Sequence, residues 1–252
     1  MPNVLLLGGT TEASGLAQLL AAHRIPTMLS YAGRTERPRA QPVPVRVGGF
    51  GGADGLAAYV RDHRITHLVD ATHPFAATMS GNAVAAAAAA AIPLLALTRP
   101  AWTAQPGDRW QHVPDIPAAV AALDGPGRRI LLALGRMHVA AFTAQPQHRY
   151  VLRFVDAPSQ APALPNHALI VDRGPFTVAG DSALMTAHGI DLVVCKNAGG
   201  SGAEAKLIAA RTLGVPVLMI DRPVLPTRAE VTDPQTVLDW LDHAPAATKR
   251  GV

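Results

Sequence analysis

Residues 4–20 read VLLLGGTTEASGLAQLL. An apolar strand runs into Gly8 and Gly9, then small polar residues, then a helix. Such a strand–glycine–helix turn opens a dinucleotide-binding unit. The usual G-x-G-x-x-G spacing is absent, however. With Gly8 as the first glycine, the next two positions hold Thr10 and Ala13.

Outward from this turn, short apolar strands alternate with helical segments, which predicts a parallel sheet covered by helices on both faces. Strands are predicted at Val4–Leu7, Thr27–Tyr31, Val43–Val47, His67–Asp70 and Leu94–Leu97, with helices at Thr11–Ala22, Ala53–His63 and Pro74–Ala91. The stretch AWTAQPGDRW suits a linker. Beyond it, strands are predicted at Arg129–Leu134, Tyr150–Phe154, Ala168–Val171, Asp191–Cys195 and Val215–Ile220. Helices are predicted near Ile116–Leu123, Met137–Thr143, Val178–His188, Ala203–Leu213 and Pro234–Leu241.

The segments His67–Pro100 and Asp191–Pro223 echo each other. Each runs strand, polar loop, helix, Pro-containing strand, then Arg-Pro at Arg99 and Arg222. The echo predicts an α/β protein of two doubly wound, Rossmann-like units, 1–100 and 101–245, with a loose tail at 246–252.

Composition narrows the class. With 252 residues, 49% hydrophobic and 16% charged, a compact globular protein is expected. The longest apolar stretch, AVAAAAAAAIPLLAL from Ala83, is mostly alanine and is broken at Pro93, which argues against a membrane span. Val4–Leu7 is too short for the core of a signal peptide. The single cysteine, Cys195, excludes an intramolecular disulfide and a cysteine zinc cluster. The cytoplasm is the expected compartment. A net charge of +4 fits either a solvated basic surface or a polycarboxylate or phosphate ligand. Nucleic acid is disfavoured, because only 4% of residues are aromatic and basic runs are lacking.

In a doubly wound sheet, ligands gather at the carboxyl ends of the strands. Four unusual loops are expected there in the first unit: GGTTEA, SYAGRTER, VGGFGG and ATHPFA. Gly8, Gly9, Thr10, Thr11, Gly48, Gly49 and Thr72 are the expected cofactor contacts, since glycine admits close approach and a helix start offers N–H groups to an anion. At the end of the second strand, Ser30, Gly33 and Arg34 suit a ribose 2′-phosphate, which points to NADPH over NADH. Glu36 stands against it. His73 reads first as a loop histidine that bonds the cofactor or caps the turn at Pro74, and second as an acid–base group. Asp70 is expected to orient His73 or Thr72, or to close the loop. No metal site is expected.

In the second half, VVCKNAGGSGAEAK offers a second anion site without the order of a P-loop. Lys196 could bind a carboxylate, donate a proton, or simply reach solvent. Asn197, Gly199, Gly200, Ser201 and Lys206 line the same loop, with Arg136 and Arg173 at neighbouring strand ends and Ser80 added from the first unit. Together they suit an acidic substrate.

Eight blocks in fixed order, VLLLGGTTEASGLA, SYAGRT, VRVGGFGG, VDATHPFAATMSGNA, LALGR, DRGPF, CKNAGGSGAEAKL and VPVLMIDRP, resemble the precorrin-6A reductase family of cobalamin biosynthesis. GGTTEA is similar to that family's own form of the dinucleotide loop. The resemblance implies two Rossmann-like domains with the ligands between them, and NADPH-dependent reduction of one macrocycle double bond to give precorrin-6B. It implies a tetrapyrrole substrate, neither nucleic-acid nor membrane partner, and is compatible with a monomer. Some relatives take the cobalt-containing substrate and can prefer NADH. Cys195 and Ala198 depart from the pattern, where a hydroxyl residue and a serine are expected. Lys196 is the candidate proton donor, with His73 or water as alternatives. Two rivals stand beside this reading: a reductase of another acidic substrate, and a nucleotide-binding sensor without turnover.

Overall fold

The computed structural model describes residues 1–32, 40–172 and 174–243. The chain forms two compact units, Met1–Pro100 joined by the segment from Val224, and Ala101–Pro223.

The first unit contains β1 (Val4–Leu7), α1 (Thr11–Ala22), β2 (Thr27–Tyr31), β3 (Val45–Val47), α2 (Gly52–Asp62), β4 (His67–Asp70), α3 (Ala77–Ala90) and β5 (Leu94–Leu97). Its parallel sheet has the order β3-β2-β1-β4-β5, so the direction of winding reverses between β1 and β4. Every residue of β1 is buried, and its side chains alternate between two cores. Val4 and Leu6 pack with Leu16 and Leu20 of α1 on one face. Leu5 and Leu7 pack with Leu56 and Val60 of α2 and with Ala83, Ala86 and Ala87 of α3 on the other. The alanine run therefore supplies the inner face of α3 through Ala83, Ala86 and Ala87, while Ala85, Ala88 and Ala89 are exposed.

The second unit contains β6 (Trp110–Val113), α4 (Ile116–Ala121), β7 (Arg129–Ala133), a 3₁₀ segment (Arg136–Ala144), β8 (Arg149–Phe154), β9 (His167–Val171), α5 (Val178–His188), β10 (Leu192–Lys196), a short 3₁₀ turn (Ser201–Ala203), α6 (Ala205–Leu213) and β11 (Val217–Ile220). Its sheet, β9-β8-β7-β10-β11-β6, repeats the first winding, with the reversal between β7 and β10. The chain thus has the two doubly wound units that the echo predicts.

The sixth strand of each sheet is absent from the predicted set, and one of them crosses the expected boundary. Directly after the first unit's β5, the chain supplies β6 as the outer strand beside β11. After β11 it returns to the first unit, where β12 (Glu230–Val231) pairs with β5 and α7 (Pro234–His243) buries Val237, Leu238 and Leu241 in the core shared with α1. A second domain running to 245 is accordingly corrected at Val224, because the apolar face of α7 is buried by α1 and not within the second unit. The expected linker at 101–110 likewise ends in the first residue of a strand. Among the described residues, no helix is long and apolar enough to cross a membrane.

Candidate active site

At the carboxyl edge of the first sheet, the turn after β1 is built for close approach. A Cβ on Gly8 would lie 2.6 Å from Leu29 Cδ1, so a side chain there would displace the end of Leu29 on β2. Gly9 has φ +127°, a left-handed conformation that suits glycine, and a Cβ there would meet nothing within 4 Å. Thr10 caps α1: its Oγ1 accepts from the Ala13 amide at 3.1 Å and donates to the Ala71 carbonyl at 2.8 Å. The first turn of α1, with its N–H groups and helix dipole, faces this open edge, which fits the diphosphate of a dinucleotide. Thr11 is exposed, and its hydroxyl donates to Glu12 at 3.1 Å.

The loop after β4 is tied to that turn. Asp70 is 2% exposed and accepts from the Thr72 amide at 3.0 Å, the Thr72 hydroxyl at 2.6 Å and the Ser80 hydroxyl at 2.6 Å. Arg228, from the returning segment, donates to the same carboxylate. His73 Nδ1 accepts from the Phe75 amide at 3.2 Å, which is the turn-capping role. The turn ends in α3 only at Ala77, three residues beyond the predicted start.

At the end of β2, Ser30 is buried and accepts from Arg46 at 2.8 Å. Arg46 also donates to the carbonyls of Gly48 and Gly49, and its guanidinium lies 3.8 Å over the Phe50 ring. Glu12, on α1, pairs with Arg99 at 3.1 Å. Burial opposes the charge of Glu12, but its backbone bond, Arg99 and Thr11 together hold the carboxyl below its ordinary value.

In the second unit, Lys196 ends β10 and the 3₁₀ segment after β7 carries His138. The Lys196 Nζ lies 2.7 Å from His138 Nε2, at the reversal point of the sheet. Arg136 is exposed at the start of that segment. Arg222 donates to the carbonyls of Asn197 and Ala198, each at 3.0 Å, and so clamps the glycine loop. Gly199, Gly200 and Ser201 lead from it into the 3₁₀ turn, and Trp102 Nε1 donates to the Gly200 carbonyl at 3.0 Å. Cys195 is wholly buried, which pushes its thiol up despite the opposing charge of Lys206.

Three residues assigned to substrate from sequence have other work. Ser80 is 2% exposed and bonds Asp70. Asn197 spends both ends of its side chain on the backbone of Trp102, at 2.8 and 3.0 Å. Lys206 is 4% exposed, donates to the Ala203 carbonyl and lies 4.7 Å over the Trp102 ring. A buried polar group must find its partners inside, so all three brace loops rather than reach for a ligand. Gly33, Arg34 and Arg173 lie outside the described residues. Arg46, His138 and Arg228 carry no mark as site residues in the sequence reading. His138 lies two residues beyond Arg136, the last residue of the LALGR block, and nothing else near it in sequence marks it.

Two doubly wound units, each an all-parallel six-stranded sheet with interleaved helices, define a two-domain α/β protein of Rossmann-like build. Residues 3–242 match the family model described as Precorrin-6x reductase CbiJ/CobK, and the chain belongs to that family. The precorrin-6A reductase of Rhodobacter capsulatus is 54% identical over 100% of both chains. That of a Sinorhizobium species is 50% identical over 88% of this chain and 85% of its own. The cobalt-precorrin-6A reductase of Priestia megaterium is 31% identical over 87% and 90%. A solved structure described as CobK precorrin-6A reductase is 53% identical and superposes with a TM-score of 0.93 over 100% of both chains.

Proposed function

We propose that the protein is an NADPH-dependent precorrin-6A reductase that reduces one double bond of the macrocycle to give precorrin-6B in cobalamin biosynthesis. The observation that carries the reading is the Lys196–His138 contact at 2.7 Å, in a chain whose first sheet bears a dinucleotide-type turn. The metal-free substrate is favoured: the relatives named for it run from 41% to 54% identity, and those named for the cobalt form from 26% to 31%. The cytoplasm and a monomer are the setting that goes with this reading.

A nicotinamide coenzyme, when bound, supplies a hydride. Gly8, Gly9 and the capped start of α1 would hold its diphosphate, and Ser30 with Arg46 supports a 2′-phosphate at the ribose end, beside the sequence assignment of Gly33 and Arg34. Gly48, Gly49, Thr72 and His73 border the same edge. In the second unit, Lys196 Nζ delivers the proton that the reduced double bond requires at its other carbon. His138 Nε2 holds that amine in position and offers a route for its reprotonation. Arg136 and the amides of Gly199 to Ser201 suit the acetate and propionate groups of a precorrin, with Arg173 as the sequence adds it.

Anaerobic turnover tests this directly. Precorrin-6A is mixed with the protein and either NADPH or NADH, and coenzyme absorbance and the corrinoid spectrum are followed together. Coupled NADPH loss and a new macrocycle spectrum are expected, with slower turnover on NADH. An unchanged macrocycle while NADPH binds would overturn the substrate assignment.

A further inference from the structure

The returning segment brings a charge into the first unit's ligand edge. The Arg228 side chain is only 6% exposed, bonds the 1%-exposed Asp70 side chain, and also donates from Nε to Glu230 at 3.1 Å. Asp70 in turn holds Thr72 by its amide and its hydroxyl. Between those two residues, the Ala71 carbonyl accepts from Thr10, the cap of α1. A continuous path of bonds therefore runs from Arg228 through the loop after β4 to the helix start.

The charge is not needed to dock the segment. Ala96 and Thr98 already donate to the carbonyls of Ala229 and Val231 at 2.9 Å, and α7 is anchored by its own buried side chains. What Arg228 adds is compensation of a buried carboxylate beside an edge suited to an anion. Without it, Asp70 would face that anion as an unpaired charge and would lose one of the donors that fix its orientation.

We infer that Arg228 is a positioning residue for coenzyme binding: acting through Asp70, it holds the loop of residues 71–73 and the Thr10 cap in the arrangement that accepts an anionic dinucleotide. The inference rests on the NADPH reading of the first unit.

The test is NADPH titration of the full chain by calorimetry, with hydrogen exchange at the amides of residues 71–76 measured without coenzyme. Arg228→Met should weaken NADPH by about tenfold or more and speed exchange in that loop. Arg228→Lys should recover part of the loss, because an ammonium restores the charge without the fork. The neutral pair Asp70→Asn with Arg228→Met should bind more tightly than Arg228→Met alone. Wild-type affinity and loop protection in Arg228→Met, whatever its thermal midpoint, would overturn the role. Should that variant fail to fold, Arg228→Lys carries the decision: a few-fold weaker binding supports the role, and wild-type affinity with wild-type protection overturns it. Wild-type protein that fails to bind NADPH in the same titration would instead overturn the coenzyme reading, and the inference with it.

Discussion

Lys196 and His138 meet across 58 positions of sequence, and the proposed donor role rests on their contact. Lys196→Ala is expected to lower kcat by about 10²- to 10⁴-fold, the range for a positioned general acid, with NADPH affinity unchanged. Steady-state kinetics with both substrates checks it. Full turnover with normal affinity would remove the donor role, and a loss of precorrin affinity alone would make Lys196 a carboxylate anchor. Glu12 carries a pH dependence with a definite sign. Its folded carboxyl lies below 4.5, so its contribution to stability is present above that value and is lost as pH falls through the folded one. The pair with Arg99 is partly exposed, at 17% and 21%, so Glu12→Gln should cost about 1 kcal/mol or less near neutrality and nothing in strong acid. Urea melts of both proteins at stepped pH measure the difference. Residues of this kind are half legible in sequence. Glycines and Lys196 declare themselves by local pattern, whereas Arg228 finds Asp70 158 positions away and nothing near either residue announces the other.

At the scale of elements, α1 joins stability to binding. Thr10→Ala removes the cap bond to Ala13 and the tie to Ala71, so a loss of about 1 kcal/mol in stability is expected together with weaker NADPH binding. Helix α7 makes a different prediction. Leu238 is 5% exposed in the core shared with α1, and Leu238→Ala should destabilise the protein by about 2–5 kcal/mol, read from denaturant unfolding. A helix merely resting on the surface would show far less. Strands with unbroken apolar runs, such as β1, β5 and β11, were legible because burial on both faces demands that pattern. Helix starts were less so: Pro74 marks a turn fixed by His73, and α3 begins at Ala77. Strands β6 and β12 were illegible for a physical reason. Gln111 and His112 are exposed polar residues on an outer strand, and β12 is two residues long, so neither leaves an apolar pattern.

For the whole molecule, the internal echo was a sound guide to two similar windings, yet it could not show that the first sheet takes its sixth strand, β12, from a stretch of chain beyond the whole second unit. Strand order depends on pairing between remote segments, and local pattern carries no record of it. One consequence follows for the thiol. Cys195 stands where the family resemblance leads one to expect a hydroxyl, but it lies wholly buried in the second core, 3.8 Å from Met219 Sδ. Burial keeps the thiol neutral, so iodoacetamide at mildly alkaline pH should label it only after denaturation, as mass spectrometry would show.

The most direct test of the reductase reading is the mass of the product formed anaerobically from precorrin-6A and NADPH deuterated at the transferred position. A macrocycle heavier by one deuterium than the product from unlabelled NADPH is expected. Oxidation of the coenzyme without deuterium in the macrocycle, or no reduction at all, would contradict direct transfer from a coenzyme held by the first unit.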